Sequence, residues 1–162
     1  MLVRLNRRDD RPYHDRKVEP TAYDLPLNPA TTRTLSPVVA VLGHPGRVAG
    51  LAAHLPAGWS LRGARDVDDI RPDELVLLTQ ATPEQVVTVR AVLAARSRVI
   101  AMVDERAPAG MVAAVLTAGA DACVRGGPPA ILAGHLVACR RRQLTERWAA
   151  LHAAASTWTG RQ

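Results

Sequence analysis

Glu74-Leu-Val-Leu-Leu-Thr-Gln-Ala-Thr-Pro83 decides how this chain folds. Four consecutive apolar residues, Leu75 to Leu78, suit a strand covered on both faces, because a half-exposed strand alternates apolar with polar positions. Thr82 is a good helix N-cap. Pro83 is a good first helical residue, since its missing N–H falls where a helix has no internal acceptor. The stretch therefore predicts a buried strand that turns into a helix. That helix is expected from Pro83 to about Ala95, with Val86, Val89 and Leu93 inward.

The same alternation extends in both directions. Upstream, Val38 to Leu42 is a second continuous run, broken by Gly43-His44-Pro45-Gly46. Val48, Leu51, Ala52 and Leu55 then recur at i, i+3, i+4 and i+7, which predicts an amphipathic helix stopping near Pro56 and Gly58. Trp59 to Arg62 reads as a strand and Asp66 to Ile70 as a short helix. Downstream, Val99 to Val103 is a strand, Ala109 to Ala118 a helix ended by Gly119, and Ala122 to Val124 a short strand. Pro128 or Pro129 opens a last helix through Leu132, Leu136 and Cys139. Five strand-helix repeats imply an α/β fold with a parallel sheet and helices on both faces. Five short strands point to the flavodoxin-like (βα)5 order 2-1-3-4-5. A ligand site belongs at the carboxyl ends of strands one, three and four, near Gly43, Thr79 and Val103.

The 162 residues are 48% hydrophobic and 22% charged, enough to bury an ordinary core, so wholesale disorder is excluded. Phe is absent and aromatics are 3%, so the core is expected to be aliphatic. A formal charge of +6 suggests an acidic partner such as nucleic acid. Its location weakens that suggestion. Residues 36–138 hold nine Arg and nine acids, and the excess lies in residues 1–35 and 139–162. Lys17 is the only lysine, and such Arg-for-Lys usage is also what a GC-rich genome produces.

Residues 1–36, with Pro12, Pro20, Pro26 and Pro29 and no apolar period, read as an extended arm. Residues 37–142 form the globular part and residues 143–162 a helical extension. Cys123 and Cys139 form no CxxC, and the start MLVRLNRRDD has no apolar run for a signal peptide. No stretch reaches the roughly 18 apolar residues of a membrane span. A soluble cytoplasmic bacterial-type protein is expected, with no membrane partner. The five His and two Cys show no metal-ligand spacing, so neither metal nor cofactor is expected.

Three segments in order resemble the receiver domain of bacterial response regulators, especially the LuxR/NarL-type subfamily. V41-L-G-H-P-G-R-V-A-G-L51 is similar to that subfamily's first strand and helix, normally V-D-D-H-P-x-V-R-x-G-L. E74-L-V-L-L-T-Q-A-T-P83 is similar to D-L-V-L-L-D-x-x-x-P. A118-G-A-D-A-C-V-R-G126 is similar to the A-G-A-x-G-Y-L-x-K turn into strand five. The resemblance spans about residues 37–142 and implies the receiver fold and a place in two-component signalling.

Every position that carries receiver chemistry departs from the pattern. The phosphoacceptor Asp at the end of strand three corresponds to Thr79. The Mg²⁺-binding acidic pair corresponds to Leu42 and Gly43, followed by His44. The Thr or Ser after strand four falls on Val103, with Asp104 next, and the Lys after strand five falls on Gly126, beside Arg125. Mg²⁺ is held by one or two carboxylates among hard oxygens, and none stands at the matching positions. A Thr hydroxyl does not form the acyl phosphate a receiver uses, and no base is placed to activate it. Phosphotransfer is therefore not expected, and the chain is expected not to be an enzyme.

Other motifs yield to plainer readings. Gly43-His44-Pro45-Gly46 lacks the GxGxxG or GxxxxGKS spacing of a phosphate-binding loop. His44 stands where the family has a loop histidine, and Asp104 reads as a solvated turn residue. Asp66, Asp68 and Asp69 are better placed to cap helix amides than to bind a metal. Gly126-Gly127-Pro128-Pro129 is a turn and helix start.

Beyond Arg140, Arg141 and Arg142, which are possible phosphate contacts, Leu144, Trp148, Leu151, Ala155 and Trp158 are spaced 4, 3, 4, 3. That is a heptad stripe on one helical face. Two exposed tryptophans imply a covering surface, which the receiver itself, a second copy or another protein would supply. L144-T-E-R-W-A-A-L151 resembles the opening of a LuxR-type DNA-binding domain, but no recognition helix follows before Gln162, so specific major-groove readout is not expected.

The leading expectation is a pseudo-receiver, a non-catalytic, phosphorylation-independent module acting in signalling or transcription regulation through protein interaction or homodimerisation. The alternatives are a DNA-associated LuxR-type regulator with a truncated or remnant output region, binding nucleic acid nonspecifically, and a small-ligand sensor.

Overall fold

The computed structural model describes the backbone of residues 36–93 and 97–159; the side chains of residue 155 and residues 157–159 are outside the described set. The expected arm, apart from Ser36, and Ala95 also lie outside it. Five strands form one parallel sheet in the order β2-β1-β3-β4-β5. They are β1 Val38–Leu42, β2 Ser60–Ala64, β3 Leu75–Thr79, β4 Arg98–Val103 and β5 Ala122–Arg125. The α/β architecture and the strand order are those the sequence predicts. The three central strands are buried along most of their length, as continuous β-branched and Leu runs require.

Alternation along each strand sorts the core into two layers. Val39, Val41, Leu75, Leu77, Ile100 and Met102 face one side, where they meet Leu51, Leu132, Leu136 and Cys139. Ala40, Leu42, Val76, Leu78, Val99 and Ala101 face the other, against Val86, Val89 and Val115. The first layer is covered mainly by α3 Pro129–Thr159 and the second by α1 Pro83–Val92 and α2 Ala109–Thr117. Thr82 caps α1 in a reciprocal box: its hydroxyl accepts from Gln85 N–H while the Gln85 side chain accepts from Thr82 N–H at 3.1 Å.

Two expectations need correction. The segment after β1 is not an amphipathic α-helix but two 3-10 turns, Pro45–Val48 and Leu51–His54. Gly46 and Gly50 interrupt it, and Gly50 adopts φ +79°, outside the helical region. The apolar spacing still did its packing work, since Leu51 is fully buried with Val48 and Leu55 against the same layer. Among the described residues three of the five expected helices are α-helices, because the short helix expected at Asp66 to Ile70 is a 3-10 turn, Val67–Asp69, capped by Asp66.

The amino-terminal edge of the sheet is tied by ion pairs. Glu74, 5% exposed, accepts from Arg62 and from the Arg71 N–H. Burial pushes the Glu74 carboxyl up, but the Arg62 hydrogen bond, the Arg71 amide and both nearby guanidinium charges outweigh it and hold it below the usual carboxylate range. Asp121 accepts from Arg90, Arg98 and the Val99 N–H, and Arg98 also reaches Glu146 on α3. Among the described residues no helix is long and apolar enough to cross a membrane.

Candidate functional site: the carboxyl edge of the sheet

Parallel strands deliver their carboxyl ends to one edge, and there the residues matched to receiver chemistry meet. Leu42 pairs with Leu78 in register, so Gly43 and Thr79 leave the sheet side by side. The Thr79 hydroxyl bridges the two strand ends, accepting from the His44 N–H at 2.7 Å and donating to the Leu42 carbonyl at 3.2 Å. Thr79 is 5% exposed, so this hydroxyl is both buried and satisfied. Gly43 adopts φ +102°, and a Cβ there would stand 2.4 Å from Thr79 Oγ1. The space between the strand ends is filled by the hydroxyl.

The other residues of the edge hold the loops. His44 caps the following turn, its Nδ1 accepting from the Gly46 N–H at 3.2 Å. Val103 is buried and its carbonyl accepts from the Gly126 N–H at 2.8 Å. Asp104 is exposed; it accepts from the Arg106 N–H at 3.0 Å and lies 3.9 Å from Arg47. Arg125 ends β5 and is exposed. The edge thus brings Leu42, Gly43, His44 and Thr79 together, and Val103 with Gly126. Asp104 sits in the turn after β4, lining a hollow with Gln80 and Gly126. Among the described residues no three His, Cys, Asp or Glu side chains are grouped to hold a metal.

Several hollows flank this edge. One of about 130 Å³ lies between Arg47, Gln80, Asp104 and Gly126. A second, of about 330 Å³, opens between Leu42, Val67, Leu78 and Val89, with Arg65 and Glu84 on its rim. Gln80, at φ +58°, was not foreseen, and a Gln beyond a strand carries no sequence signal for a left-handed backbone.

The carboxyl-terminal residues are divided by the same helix. Arg140 Nη1 donates to the Asp73 carbonyl at 2.9 Å and to Gln143 Oε1 at 2.6 Å, and burial lowers its pKa. Its guanidinium is used internally, whereas Arg141 and Arg142 are exposed. Asp73 owes its position to a tight turn, Arg71-Pro72-Asp73-Glu74, closed by Glu74 N–H to Arg71 O at 3.2 Å with Asp73 at φ +76°. Proline followed by Asp is a turn signal, and it marks this place in the sequence. Leu144, Trp148 and Leu151 are exposed; the side chains of Ala155 and Trp158 lie outside the described residues.

The fold has close counterparts among solved structures. A CheY-like response regulator receiver domain protein from Methanospirillum hungatei JF-1 superimposes with a TM-score of 0.55 at 14% identity, over 68% of this chain and 98% of that one. The signal receiver domain of an HD domain-containing protein from Pseudomonas fluorescens Pf-5 gives 0.56 at 17% identity, over 72% and 95%. This chain has the receiver fold. No family profile matches its sequence, and no curated protein matches it.

Proposed function

We propose that this chain is a receiver-like module that takes no phosphoryl group and acts in signalling or transcription regulation through protein interaction. The observation that carries the reading is the Thr79 hydroxyl, buried and bonded across the β1 and β3 ends where a receiver holds its phosphoacceptor carboxylate. An acyl phosphate needs a carboxylate, and a Mg²⁺ partner needs hard oxygens beside it. Leu42 and Gly43 supply neither; of the loop acids, Asp104 accepts from the Arg106 N–H, and Asp66, which lines the same cleft as Thr79, accepts from the Val67 N–H. The V41-L-G-H-P-G46 and A118-G-A-D121 segments support descent from the LuxR/NarL-type subgroup and a cytoplasmic setting.

Incubating the protein with Mg²⁺ and a small acyl phosphate tests this directly. Intact mass is expected to stay unchanged. A stable gain of one phosphoryl group on the native chain would overturn the reading.

A small-ligand sensor is the second reading, favoured by the cleft of about 330 Å³, which falls at the lower end of organic-ligand sites. Its apolar floor and its place at the carboxyl ends of β1 and β3 suit a ligand in place of phosphate and metal. A thermal-shift screen separates it from the first reading. Nonspecific DNA binding falls to Arg141 and Arg142, since Arg140 is bonded to Asp73.

A further inference from the structure

Past Leu136, helix α3 carries two distinct faces. Cys139 and Gln143 are buried, Glu146 accepts from Arg98, and Arg147 reaches Asp73 Oδ1 at 3.1 Å. These positions share the face that clamps the helix to the body. Leu144, Trp148 and Leu151 lie roughly 120° around the helix from it, by the 3.6-residue turn. They are 39%, 64% and 56% exposed, although the Trp148 ring leans on His152 with centroids 6.2 Å apart. With Cys139 and Gln143 buried against the body, this second face is turned away from it.

We propose that a second copy of the chain covers the stripe, the two helices forming an antiparallel coiled coil. The spacing of Leu144, Trp148, Leu151, Ala155 and Trp158 places them at d, a, d, a and d of a heptad, with Arg141 at the preceding a. A period of 3.5 is the seam for another helix of the same period, and the second copy supplies one. Parallel, in-register pairing stacks Arg141 on its own copy and repels. Antiparallel pairing sets a positions against d positions. Trp148 then meets Leu151 of the second copy, position 144 falls opposite its position 155, and position 141 opposite its position 158. The exposed Trp148 indole, one from each copy, is the largest apolar group this seam would bury. The inference does not depend on the state of the Thr79 edge.

Sedimentation equilibrium of the 162-residue chain, from micromolar to submillimolar, tests it. The native chain is expected to dimerise, and Trp148→Glu is expected to weaken that dimer at least about thirty-fold, the size of an interface hot spot. Far-ultraviolet circular dichroism should be unchanged because Trp148 is exposed. A native chain that stays monomeric throughout, as it would if another protein covers the stripe, overturns the proposal; so does an unweakened Trp148→Glu dimer. Register is read by oxidising a mixture of Leu144→Cys and Ala155→Cys chains in which Cys123 and Cys139 are alanine. The expected product joins one chain of each kind. Leu144→Cys joined to itself, or no cross-link, overturns the antiparallel arrangement.

Discussion

Gly43 and Thr79 occupy one space: the Thr79 hydroxyl oxygen lies where a Cβ on Gly43 would approach to 2.4 Å. The glycine is further fixed by φ +102°, a backbone region that L side chains rarely adopt. Gly43→Ala therefore meets a steric and a conformational penalty, together about 2–4 kcal/mol. Urea unfolding of Gly43→Ala, Thr79→Ala and the double variant checks it. The double variant is expected to be more stable than the summed single effects by about 0.5–3 kcal/mol, since Thr79→Ala removes the 2.4 Å contact and leaves only the Thr79 carbonyl, at 3.0 Å, close to the added Cβ. Strict additivity would show that the two residues do not compete for that space.

Thr79→Val keeps the shape and removes both hydrogen bonds, leaving the His44 N–H and the Leu42 carbonyl without this partner. A loss of about 1–3 kcal/mol is expected in equilibrium unfolding. Thr79→Ser, which keeps the hydroxyl, should stay within about 1 kcal/mol of the native chain.

The sheet was legible in the sequence because burial on both faces writes itself as unbroken runs, Val38 to Leu42, Leu75 to Leu78 and Val99 to Val103. That Leu42, Gly43 and Thr79 bring no carboxylate to the carboxyl edge of the sheet was equally legible, from residue identity alone. What filled the edge was not. The bridge from Thr79 to Leu42 and His44 depends on the register of β1 against β3, which no local pattern encodes. The segment 48–55 misled because periodic spacing reports which side chains are buried, and consecutive 3-10 turns meet that demand without a continuous helix. The sequence marks Arg140 as a possible phosphate contact; its bond to the Asp73 carbonyl, 67 residues away, is not visible there.

Glu74 makes stability depend on pH in one direction. Its folded pKa lies below the unfolded value of about 4.3, so its contribution is fully present above that value and is lost as pH falls toward and through the folded pKa. Acid unfolding curves are expected to show this loss below about pH 4.3, and Glu74→Gln should flatten it. At neutral pH the same substitution should cost about 1–3 kcal/mol, because Arg62 loses a charged acceptor. An unchanged acid slope in Glu74→Gln would assign the pH dependence elsewhere.

Asp121 and Glu146 both accept from Arg98, yet their burial predicts different consequences. The Asp121 side chain is 13% exposed and also accepts from Arg90 and the Val99 N–H, whereas the Glu146 side chain is 64% exposed. Asp121→Ala removes the acceptor shared by Arg90, Arg98 and the Val99 N–H while Arg90 keeps the Ser97 and Gly119 carbonyls and Arg98 keeps Glu146, and a loss of about 1–3 kcal/mol is expected. Glu146→Ala removes a solvent-screened pair and should cost no more than about 1 kcal/mol. A double-mutant cycle between Arg98 and each acid separates the two, with the larger coupling expected for Asp121. Comparable couplings would mean that Glu146, and with it the carboxyl-terminal part of α3, is held on the body as firmly as the sheet edge itself.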